Sequence, residues 1–471
     1  MRRAAELLRR HRATWRLAVG AAVVGLALAA GVVALAGPWD AGQRTAERDH
    51  AVADAIREES DTERIASTVP AAAPVLDPLD GRAPESTPAA VERAISELLD
   101  APALGGGVAG AVIDLSSGDV LYREDARSPR APASTVKIVI GVAALNALGP
   151  DHRLATRAVL DPEGERVFLV GGGDTTLTDD DLARLAQRTA EALRERDTGR
   201  VRIAYDTSLY RDQHHPIGAG NTNIATITPL QLNAGRTDDS THGPAPRSEE
   251  PAADAADAFA RHLRGAGIDV TGSADTRGAA PEGAEELAVH HSAPLSSLVE
   301  RMLTHSDNDL AEAVARATAL AAGEEGDFRG VGRAVTGQLE ELGLPLGNVR
   351  IADASGLDRD GRVTASLLTH ALAAAADPER PELRAALTGL PVAGFTGTLE
   401  GRYDESAGAG AGVVRAKTGT LTGVNTLAGT AVTRDGRVLG FAFLASDTAA
   451  EADAEAALDA AAAALTTCRC R

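Results

Sequence analysis

Ala131-Pro132-Ala133-Ser134-Thr135-Val136-Lys137-Ile138-Val139-Ile140 is the stretch on which the fold turns. After Ser134, the residues Val136, Ile138, Val139, Ile140, Val142 and Leu145 put apolar side chains on every side of a helix, and Gly149-Pro150 ends it. A helix that is apolar all round is a buried one, so this segment predicts the centre of a domain. Ser134 and Lys137 stand at its N-terminal end, three residues apart and on one face. A serine there can simply cap the helix. A lysine in the first turn opposes the helix dipole, which makes a purely structural role unfavourable.

Lys137 and Lys417 are the only lysines in a chain with 47 basic Lys and Arg residues. Arginine stands almost everywhere else that a cation is wanted. It cannot replace lysine where a basic group must give up its proton or where a compact ammonium is needed. Lys417 opens Lys417-Thr418-Gly419-Thr420, and Ser306-Asp307-Asn308 lies between the two lysines. Each motif alone is weak. Ser-x-x-Lys occurs often by chance, and Ser306 alone reads as a loop or N-cap residue before a helix at Leu310. The ordered triplet of Ser-x-x-Lys, Ser-Asp-Asn and Lys-Thr-Gly is a strong signal for serine acyl transfer.

The chemistry fits those residue types. The amine of Lys137, with its pKa lowered by burial and by the second cation, can accept the Ser134 proton. Ser134 then attacks a carbonyl carbon, with its own N–H and that of Thr420 forming an oxyanion hole. Ser306 can relay a proton to a leaving amine, and Asn308 can hold a substrate amide. Lys417 and Thr418 offer a cation and a hydroxyl to a carboxylate on a strand edge, and Gly419 leaves room for a substrate backbone. No His-Glu-x-x-His, Gly-x-Ser-x-Gly or phosphate loop competes, and no metal or other cofactor is called for. His214-His215 and His290-His291 read as exposed loop residues.

The chain has 471 residues and a formal net charge of −20, which argues against nucleic acid as a partner. Its two cysteines, Cys468 and Cys470, do not make a disulfide framework. Residues 1–16 carry Arg2, Arg3, Arg9, Arg10, Arg12 and Arg16, and residues 17–37 are uncharged and apolar. Such a run spans a bilayer, at ~1.5 Å per residue across about 30 Å of hydrocarbon. The arginines put residues 1–16 in the cytoplasm and the body outside. The expectation is a single-pass signal-anchor in the cell membrane, or a secreted protein if Ala34-Leu35-Ala36 is a cleavage site. Residues 38–87 read as a disordered linker with a short helical stretch near 44–60.

The folded part reads as α+β. Helix is expected at 88–99, 179–196, 294–305, 310–321 and 449–465. Strands are expected at 108–115, 120–123, 167–170, 201–205 and 413–418, with a hairpin of 426–432 and 438–446. A polar loop is expected from Thr237 to Ala256. Residues 88–150 and 288–467 form one domain, split by a mostly inserted α/β module at 151–287.

These motifs, with Gly172-Gly173-Asp174, Thr176-Leu177, Ala311-Glu312, Ala354-Ser355-Gly356-Leu357, Leu390-Pro391-Val392-Ala393-Gly394 and Gly397-Thr398-Leu399, resemble the low-molecular-mass class C penicillin-binding proteins. These are D-alanyl-D-alanine carboxypeptidase/endopeptidases, and the resemblance covers about residues 88–465. It implies a penicillin-binding, transpeptidase-like antiparallel sheet covered by helices, plus a helical subdomain. It implies Ser134 as acylated nucleophile, Lys137 as general base, and Ser306 and Asn308 as further catalytic residues. Lys417, Thr418, Gly419 and Thr420 become substrate-binding residues. Peptidoglycan stem peptides are the implied substrate and β-lactam antibiotics the implied inhibitors. Ser134 and Ser306 are 172 residues apart, much further than in serine β-lactamases, which favours the peptidase. The gap is short for the two nested modules of the fullest class C members. The alternatives are a β-lactamase of the same fold and an inert wall-binding scaffold.

Overall fold

The structure is a computed structural model that describes residues 86–468, apart from 212, 219, 273–275 and 404–406. The arginine-rich arm, the apolar run 17–37, the linker up to residue 85 and Cys470 lie outside the described residues. Among the described residues, no helix is long and apolar enough to cross a membrane. Cys468 is disulfide-bonded.

The chain begins with α1 (Pro88–Leu99), β1 (Val108–Asp114), β2 (Val120–Glu124) and α2 (Val136–Leu148). Then come β3 (Ala155–Leu160), β4 (Arg166–Val170), α3 (Asp179–Glu195), β5 (Arg200–Asp206), α4 (Pro251–Gly265), β6 (Asp269–Val270), β7 (Thr276–Arg277) and β8 (Glu285–His291). Four helices follow: α5 (Leu295–His305), α6 (Asn308–Ala321), α7 (Phe328–Glu341) and α8 (Ala365–Ala376), with a single turn, α9 (Ala385–Thr388), after them. The chain closes with β9 (Val414–Leu421), β10 (Val424–Val432), β11 (Val438–Ser446) and α10 (Glu451–Thr467).

Two sheets organise these elements. The first is antiparallel, in the order β2-β1-β11-β10-β9, so the two ends of the chain share it and β9 is an edge strand. Both its faces are covered, which explains why β1 and β11 are apolar without alternation. Ala442 and Leu444 of β11 join the cluster around α2, α5, α6, α7 and α8. Phe441 and Phe443 point the other way, against α1 and α10. The second sheet, in the order β6-β5-β4-β3-β8, is mixed: β4, β5 and β6 run parallel while β3 pairs antiparallel with β4 and β8. Helices α3 and α4 bury their apolar faces in one core with it.

Helix α2 is buried from Val136 through Leu145, and Gly149 (φ 78°) closes it in a conformation open to glycine. Three details depart from expectation. The loop expected to run from Thr237 to Ala256 stops at Pro251, which starts α4 as proline can at a helix N-terminus. Helix α6 begins at Asn308 rather than Leu310, because the Asp307 carboxylate caps it by accepting from the Leu310 N–H at 3.0 Å. The two histidine pairs are not simply exposed. The His215 side chain is 1% exposed and His290, on β8, is 15% exposed, 3.6 Å from the Asp174 carboxylate.

Candidate active site

Ser134 lies in a single 3-10 turn, Ala133–Thr135, that leads into α2. Ala133 has φ 46°, a left-handed backbone that costs a non-glycine residue energy and persists only where its surroundings enforce it. Those surroundings can be named. The Pro132 carbonyl accepts from Thr135 Oγ1 at 2.7 Å and from Thr426 Oγ1 of β10 at 2.9 Å. Gly356 leaves no space on one side, where a Cβ would stand 2.0 Å from the Ala133 carbonyl oxygen. A Cβ on Gly419 of β9 would stand 2.8 Å from the Pro132 oxygen and 3.0 Å from the Ser134 nitrogen. Gly419 is therefore required by the protein's own nucleophile turn, whereas the sequence reading assigned its empty space to substrate.

The Lys137 ammonium is fully buried and makes three contacts. Its Nζ donates to Ser134 Oγ at 2.9 Å, to Asn308 Oδ1 at 2.8 Å and to the Ser355 carbonyl. Ser134 Oγ in turn donates to that carbonyl at 3.4 Å. Burial lowers the Lys137 pKa to about 8; the carboxylates of Asp353, Asp307, Glu312 and Asp309 oppose the fall. The first two motifs are thus in direct contact. The Asn308 amide is oriented from its far end, where Nδ2 donates to the Asn223 carbonyl at 3.0 Å. Ser306, half-buried, closes α5 in the left-handed region (φ 56°, ψ 38°).

Lys417 is also fully buried, and its Nζ donates to the Thr418 carbonyl at 2.8 Å. Burial first, then the positive charges of Lys137 and Arg402, hold its pKa well below the lysine range. Along β9 the side chains alternate. Gly419 faces the Ser134 turn, while Thr418 Oγ1 meets Thr398 Oγ1 at 2.9 Å and Thr420 Oγ1 meets Glu455 at 3.1 Å. With its hydroxyl turned to α10, Thr420 is left with backbone groups to offer a substrate.

A buried network that sequence reasoning did not find lies behind Lys137. Asp353 Oδ2 accepts from Gly356 N at 2.9 Å, from Leu357 N at 3.0 Å and from Ser355 Oγ, and it meets His215 Nε2 at 3.0 Å. Burial would raise the Asp353 carboxyl, but the hydrogen bonds from His215 and Ser355 outweigh it and the pKa is lowered. Glu312 Oε1 accepts from Ala354 N at 2.8 Å and Ser355 N at 3.0 Å, while its other oxygen pairs with buried Arg316. His215, Glu312 and Asp353 come close enough together to suggest a metal site. Asp353 Oδ2 and both Glu312 oxygens already accept from N–H or O–H donors or from Arg316, so the donor set fits a hydrogen-bonded brace better than a metal ion. The only sequence signal for this network was the presence of Ala354-Ser355-Gly356-Leu357 and Ala311-Glu312 among the family-like stretches.

Comparison with known proteins identifies the family. The profile of the D-Ala-D-Ala carboxypeptidase 3 (S13) family matches residues 91–246 and 237–465. Carboxypeptidase DacB of Mycolicibacterium smegmatis is 37% identical over 413 residues, covering 84% of this chain and 88% of the relative. A D-alanyl-D-alanine carboxypeptidase of an Actinomadura species is 28% identical over 422 residues, covering 71% of this chain and 77% of its own length. In fold, the crystal structure of penicillin binding protein 4 from Haemophilus influenzae matches with a TM-score of 0.64 at 20% identity, over 79% of this chain and 97% of the other. The chain belongs to the D-Ala-D-Ala carboxypeptidase 3 (S13) family.

Proposed function

We propose that the chain is a serine DD-peptidase that hydrolyses the terminal D-Ala-D-Ala bond of peptidoglycan stem peptides through an acyl-enzyme on Ser134. The observation that carries this is the fully buried Lys137 amine 2.9 Å from Ser134 Oγ, with its pKa brought down to about 8. Neutral Lys137 takes the hydroxyl proton as Ser134 Oγ bonds to the carbonyl carbon of the penultimate D-Ala. The Ser134 and Thr420 N–H groups hold the oxyanion. As the C–N bond breaks, the departing D-Ala amine receives a proton by way of Ser306, and water then hydrolyses the ester. Asn308 holds the substrate amide. Lys417 and Thr418 bind the terminal carboxylate, which brings a negative charge to buried Lys417. A β-lactam presents a carbonyl and a carboxylate to the same groups and acylates Ser134.

A fluorescent penicillin tests this reading. Stable labelling at Ser134, with D-Ala released from a peptide ending in D-Ala-D-Ala, is the expected result. Turnover of the probe would mean a β-lactamase, and no labelling would mean an inert scaffold.

The substrate is extracytoplasmic, and we propose that residues 17–37 anchor the enzyme in the membrane. The arginines before an uncharged run of bilayer length support this. The full chain should stay in the membrane pellet through an alkaline carbonate wash, and a chain starting at residue 38 should not. Release of the full chain by the wash would refute the anchor.

A further inference from the structure

The peptide group joining Ser355 to Gly356 is held at both ends. Its carbonyl accepts from Lys137 Nζ, and its N–H donates to Asp353 Oδ2 at 2.9 Å. One planar, polarisable unit therefore separates the carboxylate from the amine. We propose that Asp353, clamped by His215, is the positioning residue of the general base, holding this peptide so that its carbonyl turns the Lys137 amine onto Ser134. The proposal rests on the acyl-enzyme reading above.

Hydrogen-bond counting supports it. A neutral amine has two N–H donors and one lone pair. The Ser355 carbonyl and Asn308 Oδ1 take both donors, which leaves the lone pair for the third direction, toward Ser134 Oγ at 2.9 Å. Aim thus depends on those two acceptors staying in place. Asn308 is fixed by Asn223. The Ser355 carbonyl is fixed by the cap beneath it, in which Asp353 Oδ2 collects Gly356 N, Leu357 N and Ser355 Oγ. On its other side the peptide abuts the nucleophile turn, where Gly356 (φ 81°) meets the Ala133 carbonyl with no room for a Cβ. One carboxylate therefore sets both the base and the turn that carries the nucleophile.

His215 completes the clamp. Its Nδ1 accepts from Ile217 N at 3.2 Å, so Nε2 carries the proton that it donates to Asp353. Phe328 packs edge-on against the ring at 5.6 Å. The charge of Asp353 also favours the Lys137 ammonium. Asp307, Glu312 and Asp309 from α6 and its cap also act on that ammonium, whose own charge in turn lowers Lys417 on β9. Asp309, raised to about 7 chiefly by burial, titrates in the same pH range and so must be kept in every variant compared.

The test is the rate of Ser134 labelling by a fluorescent penicillin from pH 6 to 10, on the full chain. Asp353→Asn keeps an oxygen for the backbone donors and removes the charge. Its rising limb should move about one pH unit lower than in the wild type, because an opposite charge near the ammonium is lost. Asp353→Ala should also lose roughly 10²-fold from the high-pH plateau through misaim. His215→Gln, which keeps an N–H donor, should stay within about threefold of the wild-type plateau, and His215→Leu should fall about tenfold below it. A purely structural Asp353 would lower the melting temperature and the plateau but leave the midpoint where it was. That result, or an Asp353→Asn profile identical to wild type, overturns the proposal. If Asp353→Asn does not fold, equal plateaus for His215→Gln and His215→Leu overturn it. A wild type that is not labelled at Ser134 removes the acyl-enzyme reading, and this proposal with it. A labelled wild type with an unmoved Asp353→Asn refutes this proposal alone.

Discussion

Under the proposed mechanism, acylation should depend steeply on pH near neutrality, because the base is a buried lysine. Burial lowers Lys137 from 10.5 to about 8, against the pull of Asp353, Asp307, Glu312 and Asp309. An amine of pKa about 8 is about 9% neutral at pH 7, against about 0.03% at the ordinary lysine value, so burial raises the competent fraction roughly 300-fold. The rate of Ser134 labelling should climb close to tenfold from pH 7 to pH 9 and level off above that, following the neutral fraction. Lys137→Arg keeps the charge but stays protonated, so labelling should fall by about 10²–10⁴ and the rising limb should vanish. The assay is the time course of fluorescent-penicillin labelling, corrected for spontaneous opening of the probe. A wild-type rate that is flat from pH 7 to 9, or a midpoint near 10, would refute buried Lys137 as the base. So would a Lys137→Arg rate within about tenfold of wild type.

The same lowered pKa has a consequence for stability. The unfolded chain keeps this proton up to pH 10.5, and the native state only to about 8. Between those values the unfolded state binds more protons, so stability from this group rises with pH. Below about pH 8 the buried ammonium costs the native state up to about 3 kcal/mol. The unfolding free energy of wild type relative to Lys137→Met should therefore shift in favour of wild type between pH 8 and pH 10. A difference that stays constant across that window would mean that the native pKa is not lowered.

Ser134→Ala should abolish covalent labelling and leave the melting temperature close to wild type, since a half-buried hydroxyl is lost with little volume; undiminished labelling would place the nucleophile elsewhere. Gly419→Ala should slow labelling by about 10²-fold, because its Cβ would stand 2.2 Å from Thr426 Oγ1 and 2.8 Å from the Pro132 oxygen and must push the nucleophile turn. Wild-type labelling in that variant would show that the turn tolerates displacement. Wild type should release D-Ala from a peptide ending in D-Ala-D-Ala far faster than from its C-terminal amide. Lys417→Ala should lose that preference and Lys417→Arg should keep part of it; an Ala variant that discriminates as well as wild type would clear Lys417 of carboxylate binding.

Much of the fold could be read in the chain because its signals are local. Helix α2 announced itself by being apolar on every face. The β10–β11 hairpin and α1 followed from apolar spacing, and the expected bounds of α1 match the structure. Boundaries failed where a single residue outweighed the pattern: Asp307 capping α6 two residues early, and Pro251 starting α4 inside what read as polar loop. Helices α7 and α8 and strands β3 and β8 went unread. The edges of β8, with the burial pattern exposed, exposed, half-buried, buried, carry little of the alternation that marks a strand.

The site divides along a different line. The roles proposed for Ser134, Lys137, Asn308 and Lys417 run through side chains, and a side chain has a letter that can be recognised at a distance. The groups that make those side chains work are largely backbone. The Ser355 carbonyl that receives Lys137, the Asn223 carbonyl that orients Asn308 and the Pro132 carbonyl that holds the nucleophile turn are atoms that every residue possesses. Only their supports leave a trace in the sequence, and the trace is ambiguous. Gly419 and Gly356 are needed because the Ala133–Ser134 backbone occupies the space of a side chain, and Asp353 and Glu312 because five backbone or side-chain donors of one loop converge on their carboxylates. A glycine read alone cannot say whether substrate or protein fills the space beside it. An acid read alone cannot say whether it serves a reaction or a loop. In the proposed mechanism the same contacts do both, since the loop that Asp353 caps is the one whose carbonyl meets the Lys137 amine.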